Sequence, residues 1–411
     1  MENKSLPAYL FNEVGSGSVD VKLKNMLSIL RKHLDMDVAF ISEFVDGERV
    51  FKFVDAEDEN APVSVGGSDP LEKTYCKRIV DDELDNIIND TQINPVTRNM
   101  SVTDKLSIGA YMGVPIMLSS GEVYGTFCCY KDVPDETLNS RDLSFLNAIS
   151  EIASELIEGD IKAETLYRGV SSRVQSVLDE EGIAIHYQPI YSLKSGRVVG
   201  FESLSRFITE PYRAPNIWFD EAASVNLGEA LEVMAIGKAI EGMHAFSADS
   251  YIAVNASPDS ILSGAVHAAL KNTDASRIVL EVTEHSPIYS YAVLREALEP
   301  LRKRGVRLAI DDAGSGYASF HHILELGADI IKLDITLTQD IHCHPQKFLL
   351  AKALCAFAKA VGCNVIAEGI EKIEELNVLR ELGVDKAQGY FLGRPAPISD
   401  ALFHEGRTLT E

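Results

Sequence analysis

Asp311 and Asp312 end an apolar run, Leu308-Ala309-Ile310, just before Gly314 and Gly316 supply a flexible turn. A second apolar pair, Ile330-Ile331, leads to Lys332 and Asp334. Adjacent acids at one strand end read as a solvated turn or a helix cap. In this chain the pattern recurs. Glu202, Asn255, Glu281 with Glu284, Asp311 with Asp312, Lys332 with Asp334, Glu368 with Glu371, and Gln388 each follow or close a short apolar segment. Carboxylates converging on one mouth repel one another unless cations neutralise them. An oxygen-rich, histidine-poor set suits the hard ions Mg²⁺ or Mn²⁺ better than zinc. A shared aspartate with flanking Glu and Asn can hold two ions about 3.5–4 Å apart, as used for in-line attack on phosphoryl groups. Spacing alone indicates a metal-dependent barrel enzyme and leaves an enolase-type lyase open.

The elements that must position these residues lie in residues 182–411. Apolar patterns predict strands at 184–191, 197–204, 251–255, 277–282, 307–310, 329–333, 364–367 and 387–391. Helical periodicity fills most gaps, for example 221–246, 291–303, 345–360 and 373–382. Eight strands alternating with helices fit an α/β fold, a (β/α)8 TIM-like barrel, whose chemistry gathers at the C-terminal strand ends.

Residues 1–160 read differently. A helix at 21–34 precedes a strand pair at 37–44 and 50–54 that turns at Asp46-Gly47. A helical stretch at 71–80, a second strand pair at 109–117 and 121–130, and a long helix from Arg141 follow. This is an α+β, sensor-like layout of antiparallel sheet and helices. Over about 141–181, Leu146, Ile149, Ala153, Ile157, Leu166, Val170, Val174 and Val177 form an amphipathic stripe with imperfect heptad spacing. The stripe fits a dimeric signalling helix, or a helix lying on its own domain.

Acids number 62 against 38 Lys and Arg, a formal charge of −24 over 411 residues. Such a surface repels duplex nucleic acid and anionic membrane. A small anionic ligand can still be held where metal ions or a few Arg and Lys locally invert the field. The six cysteines are scattered without a CxxC pair, which fits a reducing compartment. The start shows no basic and apolar leader, and no run of about 18 apolar residues occurs, so a soluble cytoplasmic protein is expected without membrane insertion. Cys76, Cys128 and Cys129 read as buried packing, with a bilin or redox thiol site as the other reading. His342-Cys343-His344 reads as a surface loop, His321-His322 as packing or surface, and Trp218 as local packing.

Two family resemblances then carry specific implications. DMDVAFISEF, GAYMGVPIML and GEVYGTFCCYKD resemble the GAF family of sensor domains over most of residues 20–158. GAF domains bind cyclic nucleotides, bilins or haem, or only dimerise. The lack of histidine between His33 and His186 argues against histidine-ligated haem, and the GAF ligand stays unassigned. HYQPIYSLKSGRVVGFESLSRF, VNAS, LEVTE, IDDAGSGY, IKLD, IAEGIE and QGYFLGRP resemble, in order, the signature blocks of the EAL family of cyclic di-GMP phosphodiesterases. That resemblance implies hydrolysis of cyclic di-GMP to linear pGpG by two metal ions, and the two domains together lead to the expectation of a GAF sensor regulating this activity in a homodimer. It implies that Glu202, Asn255, Glu281 and Asp311 hold one ion, and that Asp311, Asp312 and Glu368 hold the second. Lys332 would orient the attacking water, with Glu368 and Asp334 assisting proton removal. Arg206 would grip a phosphate, Gln188, Glu371 and Gln388 would lie near substrate, and Glu284 would brace the loop after the fifth strand. Two departures stand out. The Glu-Ala-Leu motif reads Glu202-Ser203-Leu204, and Ala313 replaces the phenylalanine usual in the DDFGTG loop. A buried ring there would contribute about 1.5–3 kcal/mol, so Ala313 bears on loop anchoring and rate. The rival reading is a catalytically silent receptor for cyclic di-GMP.

Overall fold

The computed structural model describes residues 18–58, 60–210, 212–283, 288–313 and 318–409. The chain divides into two compact units, one extending to Leu166 and the other running from Tyr167.

In the first unit, β1 (Val38–Val45) and β2 (Glu48–Ala56) form a hairpin. Asp46 and Gly47 at its tip both have positive φ, as a tight two-residue turn requires. With β3 (Ser68–Pro70), β4 (Ile87–Ile88), β5 (Ala110–Met117) and β6 (Val123–Lys131) they build an antiparallel sheet of order β3-β2-β1-β6-β5-β4. Side chains alternate across the sheet, and both faces are covered. Ala39, Ile41, Met112, Val114, Phe127 and Cys129 pack with Leu23, Met26, Leu27 and Leu30 of helix Val19–His33 and with Leu146, Ile149 and Ala153 of helix Ser140–Asp179. Val38, Phe40, Tyr111, Cys128 and Tyr130 face the other way, toward helices Tyr75–Val80 and Ser101–Lys105. The predicted helix at 71–80 is interrupted: Leu71–Lys73 is one 3₁₀ turn, and Thr74 accepts the Lys77 N–H to cap a new helix.

The long helix has 40 residues. Its first part packs against the sheet, whereas Ile161, Leu166 and Tyr167 are exposed. Val174 and Val177 are buried with Trp218, whose ring stacks on Phe207 at 5.0 Å, as local packing requires. No helix among the described residues is long and apolar enough to cross a membrane.

The second unit is a closed barrel of β7 (Ile183–Ser192), β8 (Val198–Phe207), β9 (Tyr251–Asn255), β10 (Ile278–Thr283), β11 (Arg307–Ala313), β12 (Ile330–Leu333), β13 (Asn364–Ala367) and β14 (Lys386–Ala387). One strand departs from a plain (β/α)8 barrel. β7 runs antiparallel to both neighbours, β8 and β14, while every other adjacent pair is parallel. The connection from Leu193 to Arg197 is too short for a crossover helix, so β8 must return as a hairpin. Two predicted bounds are also corrected. The helix expected at 221–246 is two helices, Pro215–Ser224 and Gly228–Met243, broken where Asn226 takes φ 60°. The last strand stops at Ala387, because the chain turns at Gly389 beside Ile370 and leaves Tyr390 and Phe391 exposed.

Candidate metal and phosphate site

The barrel floor is apolar: Ile190, Tyr251, Ala253, Val279, Ala309, Ile330 and Ile366 fill its interior. Tyr251 lies against Gly200, where an added Cβ would meet the ring at 2.7 Å. From this floor the two-residue repeat of each strand carries the next inward position up to the mouth. Ala253 leads to Asn255, Val279 to Glu281, Ala309 to Asp311, Ile330 to Lys332, and Ile366 to Glu368. On the reversed β7 the count runs backward, from Ile190 to Gln188, which pairs with Glu202 of β8. One inward-facing register therefore assembles residues drawn from seven strands.

Lys332 is the centre of the set and is fully buried. Its Nζ lies 2.8 Å from Glu281, 2.8 Å from Glu368, 3.1 Å from Asp311 and 3.6 Å from Glu202. Gln388 donates from Nε2 to Glu202 and, at 3.2 Å, to Glu368. Burial, reinforced by neighbouring carboxylates, pushes the Glu281 and Glu368 carboxyls well above their ordinary range, although Lys332 opposes that rise. Burial opposes the Lys332 charge, yet Asp311, Glu202, Glu281 and Glu368 hold its ammonium well above the ordinary lysine range.

Asp311 and Asp312 are consecutive, and a regular strand would send them to opposite faces. The register of β11 on β12 slips between Ile310 and Ala313, and Asp312 adopts φ 58°. This bulge lets both acids serve the mouth. Two groups of carboxylate oxygens result, each within 4.8 Å: Glu202, Glu281 and Asp311, and Asp311, Asp312 and Glu368. Asp311 belongs to both. Four carboxylates against one ammonium leave a net charge of −3 when all are ionised, a state that buried groups reach only with added cations. Glu281 Oε1 is buried without a hydrogen-bond partner, and the donors are all oxygens. The residues therefore fit hard divalent cations.

Beside these acids a cavity of about 360 Å³ is lined by Arg206, Asn255, Glu281, Glu232, Ser257 and Phe219. Arg206 donates to the Ser205 carbonyl at 2.8 Å, and Asn255 is exposed at the cavity wall. The remaining expected residues are placed as follows. Gln188 donates to the Gly393 carbonyl at 3.0 Å. Glu371 is exposed, and its N–H donates to Glu375. Asp334 caps helix Ile335–Thr338 by accepting the Thr336 N–H at 2.8 Å, and it is not among the acids around Lys332. Glu284 lies outside the described residues.

Two acids were missed by sequence reasoning. Glu375 is fully buried and accepts backbone N–H groups from Asp340, Glu371 and Lys372, which fixes the loop after β13. Its spacing from Lys372, N-cap to N3 of a helix, was the readable signal. Glu232 accepts the Ser257 N–H at 2.8 Å, and burial raises its carboxyl pKa. Its signal was an acid on an otherwise apolar helix stretch. His342 comes near Asp340 and Glu375, but Asp340 already pairs with Lys372 and Glu375 is spent on three N–H groups.

Comparison with known proteins places these features in families. Residues 171–395 match the EAL domain, and residues 17–158 match a GAF domain. An uncharacterized signaling protein of Caulobacter vibrioides is 35% identical over 237 residues, 56% of this chain and 29% of that protein. The cyclic di-GMP phosphodiesterase NbdA of Pseudomonas aeruginosa is 29% identical over 242 residues, 56% of this chain and 31% of that protein. The structure of PaMucR phosphodiesterase in complex with c-di-GMP superposes with a TM-score of 0.53 at 26% identity, covering 57% of this chain and all of that one. The chain spans 29–34% of the length of the first three curated relatives it matches.

Proposed function

Because this chain belongs to the EAL domain family, we propose that it is a cyclic di-GMP-specific phosphodiesterase, opening one phosphodiester of the ring to give linear pGpG. The observation that carries the reading is the pair of carboxylate groups sharing Asp311 around a fully buried Lys332, beside a cavity that presents Arg206. Glu202, Asn255, Glu281 and Asp311 would hold one divalent ion, and Asp311, Asp312 and Glu368 the other. Such ions, Mg²⁺ or Mn²⁺, supply charge neutralisation and make water acidic enough to attack at neutral pH.

The protein's own groups do the rest. Arg206 holds a non-bridging phosphate oxygen and sets which phosphate faces the acids. Lys332 donates toward the reacting centre and offsets charge that builds on the phosphate. Glu368 takes the proton released from water at a carboxylate oxygen. Gln388 holds Glu202 and Glu368 in register, and Gln188 and Glu371 border the substrate. Asp334 acts through the cap of its helix. Residues 17–158 regulate this activity, and the exposed Ile161, Leu166 and Tyr167 of the long helix join two copies as a cytoplasmic homodimer.

The test is chromatography of cyclic di-GMP incubated with purified protein and Mg²⁺ or Mn²⁺, with EDTA as control. Metal-dependent pGpG is the expected product. Tight binding without product would replace this reading with the receptor.

A further inference from the structure

Cys76 and Cys128 come from distant segments, helix Tyr75–Val80 and β6. Alternation along β6 sends Cys129 into the opposite core and Cys128 toward Phe40, Tyr111 and Tyr130. There Cys76 Sγ lies 3.9 Å from Cys128 Sγ and 3.5 Å from the Tyr111 hydroxyl. Arg49 Nη1 approaches the Cys76 sulfur at 3.8 Å. This arginine is only 2% exposed, and its Nη2 pairs with Asp69. Lys105, its side chain largely exposed, shares the same carboxylate, so the three charges sum to +1. A negative sulfur at Cys76 would balance them.

A small void also lies against Arg49 and Tyr111, the groups that contact Cys76, although neither sulfur lines it. A void of about 10 Å³, enough for one water-sized molecule, is lined by Arg49, Tyr75, Tyr111 and Tyr130. Arg49 Nε and the Tyr130 hydroxyl are buried without partners. Burial resists ionisation of Cys76, yet the hydrogen bond from Cys128 and the Arg49 charge hold its thiol well below the ordinary range. Burial and the neighbouring Cys76 push Cys128 well above it. Arg49 lies beside Cys76, which favours that sulfur as the one to ionise.

We propose that Cys76 and Cys128 form an oxidisable thiol pair that reacts with a small hydroperoxide, Cys76 attacking first and Cys128 resolving. In the first step the Cys76 thiolate attacks the terminal peroxide oxygen and the O–O bond breaks. Cys76 becomes a sulfenic acid, and the departing oxide takes a proton to leave as water or an alcohol. In the second step the Cys128 sulfur attacks the sulfenic sulfur. An S–S bond forms, and hydroxide leaves with the Cys128 proton as water. The two sulfurs lose two electrons and the peroxide gains them. The sulfurs need to close from 3.9 Å to about 2.05 Å. In a reducing compartment such a bond is transient, as a redox-sensing pair requires.

The test uses the full, reduced chain carrying Cys343→Ser, which removes the exposed thiol. It is treated with hydrogen peroxide near stoichiometry, then quenched in denaturant containing dimedone and an alkylating agent for peptide mass spectrometry. A peptide linking Cys76 to Cys128 is expected, forming at least about tenfold faster than any oxidation of Cys355, whose burial raises its pKa to about 11. Cys128→Ser should trap a dimedone adduct on Cys76, whereas Cys76→Ser should leave Cys128 unmodified. Arg49→Gln should slow Cys76 oxidation about tenfold or more. The first measurement decides without altering the pair: Cys76 and Cys128 recovered as free thiols while Cys355 oxidises at the same rate or faster overturns the proposal.

Discussion

Each unit buries a cation, and the two are balanced in opposite ways. Arg49 in the sensor-like sheet is sandwiched by Phe51, with its guanidinium carbon 4.0 Å from the ring centroid, and bonded to one carboxylate, Asp69. Lys332 in the barrel is ringed by four carboxylates within 3.6 Å. Burial is nearly the same, so burial does not distinguish them. The sign of the leftover charge does. Counting Lys105, which shares Asp69, the first site sums to +1 and suits a thiolate or another small anion, while the second is left negative and suits added cations. A third cation, half-buried, extends the series. Lys386 lies over the Tyr251 ring at 5.0 Å with no ion pair to a carboxylate among the described residues. Burial, with Arg307 adding repulsion, brings its pKa down to about 8.

The comparison breaks most visibly at Asp311, the carboxylate common to both groups. Asp311→Asn should reduce turnover of cyclic di-GMP about a thousandfold, since several kcal/mol of transition-state stabilisation is lost. Turnover within about tenfold of the parent would remove Asp311 from the centre. The next test sets the cations against each other. Lys332→Met should cost about 3–5 kcal/mol in EDTA, because four carboxylates lose their only ammonium, and Mg²⁺ should restore much of it. Arg49→Met should cost about 1–3 kcal/mol with no recovery in Mg²⁺, since Asp69 keeps Lys105. Urea unfolding with and without Mg²⁺ separates the two, and equal rescue of both variants would erase the distinction.

Gln388→Leu removes the donor that aligns Glu202 and Glu368, and turnover should fall about 10–100-fold. Steady-state assays at fixed Mg²⁺ measure it. The smallest effect belongs to Lys386. Its folded pKa lies below the ordinary 10.5, so its contribution is present above that value and is lost as pH falls through about 8. Stability should rise modestly from pH 7 to 9, and Lys386→Met should abolish that part of the slope in thermal melts at the two pH values.

Much of the barrel was legible because buried strands are bounded runs of apolar residues. Tyr251–Asn255 and Asn364–Ala367 match their predicted limits, and the strand-end acids expected at the mouth lie at or beside a strand end, with Glu371, Glu284 and the cap Asp334 aside. The reversal of β7 was not read, because apolar periodicity carries no direction. The short connection at Gly196 did carry that information. The break at Val225-Asn226-Leu227 was hidden by its own apolar residues, which continue the helical pattern while Asn226 leaves helical geometry. Asp334 illustrates a different limit: a strand-end acid can face the mouth or cap the next helix, and the Thr336 N–H decided which. Ala313 is fully buried beside Leu333, so the position is packed without the usual ring.

The reversed first strand also sets where the chain enters the barrel. In an all-parallel barrel the first strand begins at the floor, remote from the chemistry. Here Ile183, the first residue of β7, pairs with Phe207 at the mouth end of β8, one position past Arg206. Val174 and Val177, just upstream, are buried against the same Phe207 and Trp218. The end of the incoming helix is thus seated first against the rim that carries Arg206, and the barrel floor lies at the far end of β7.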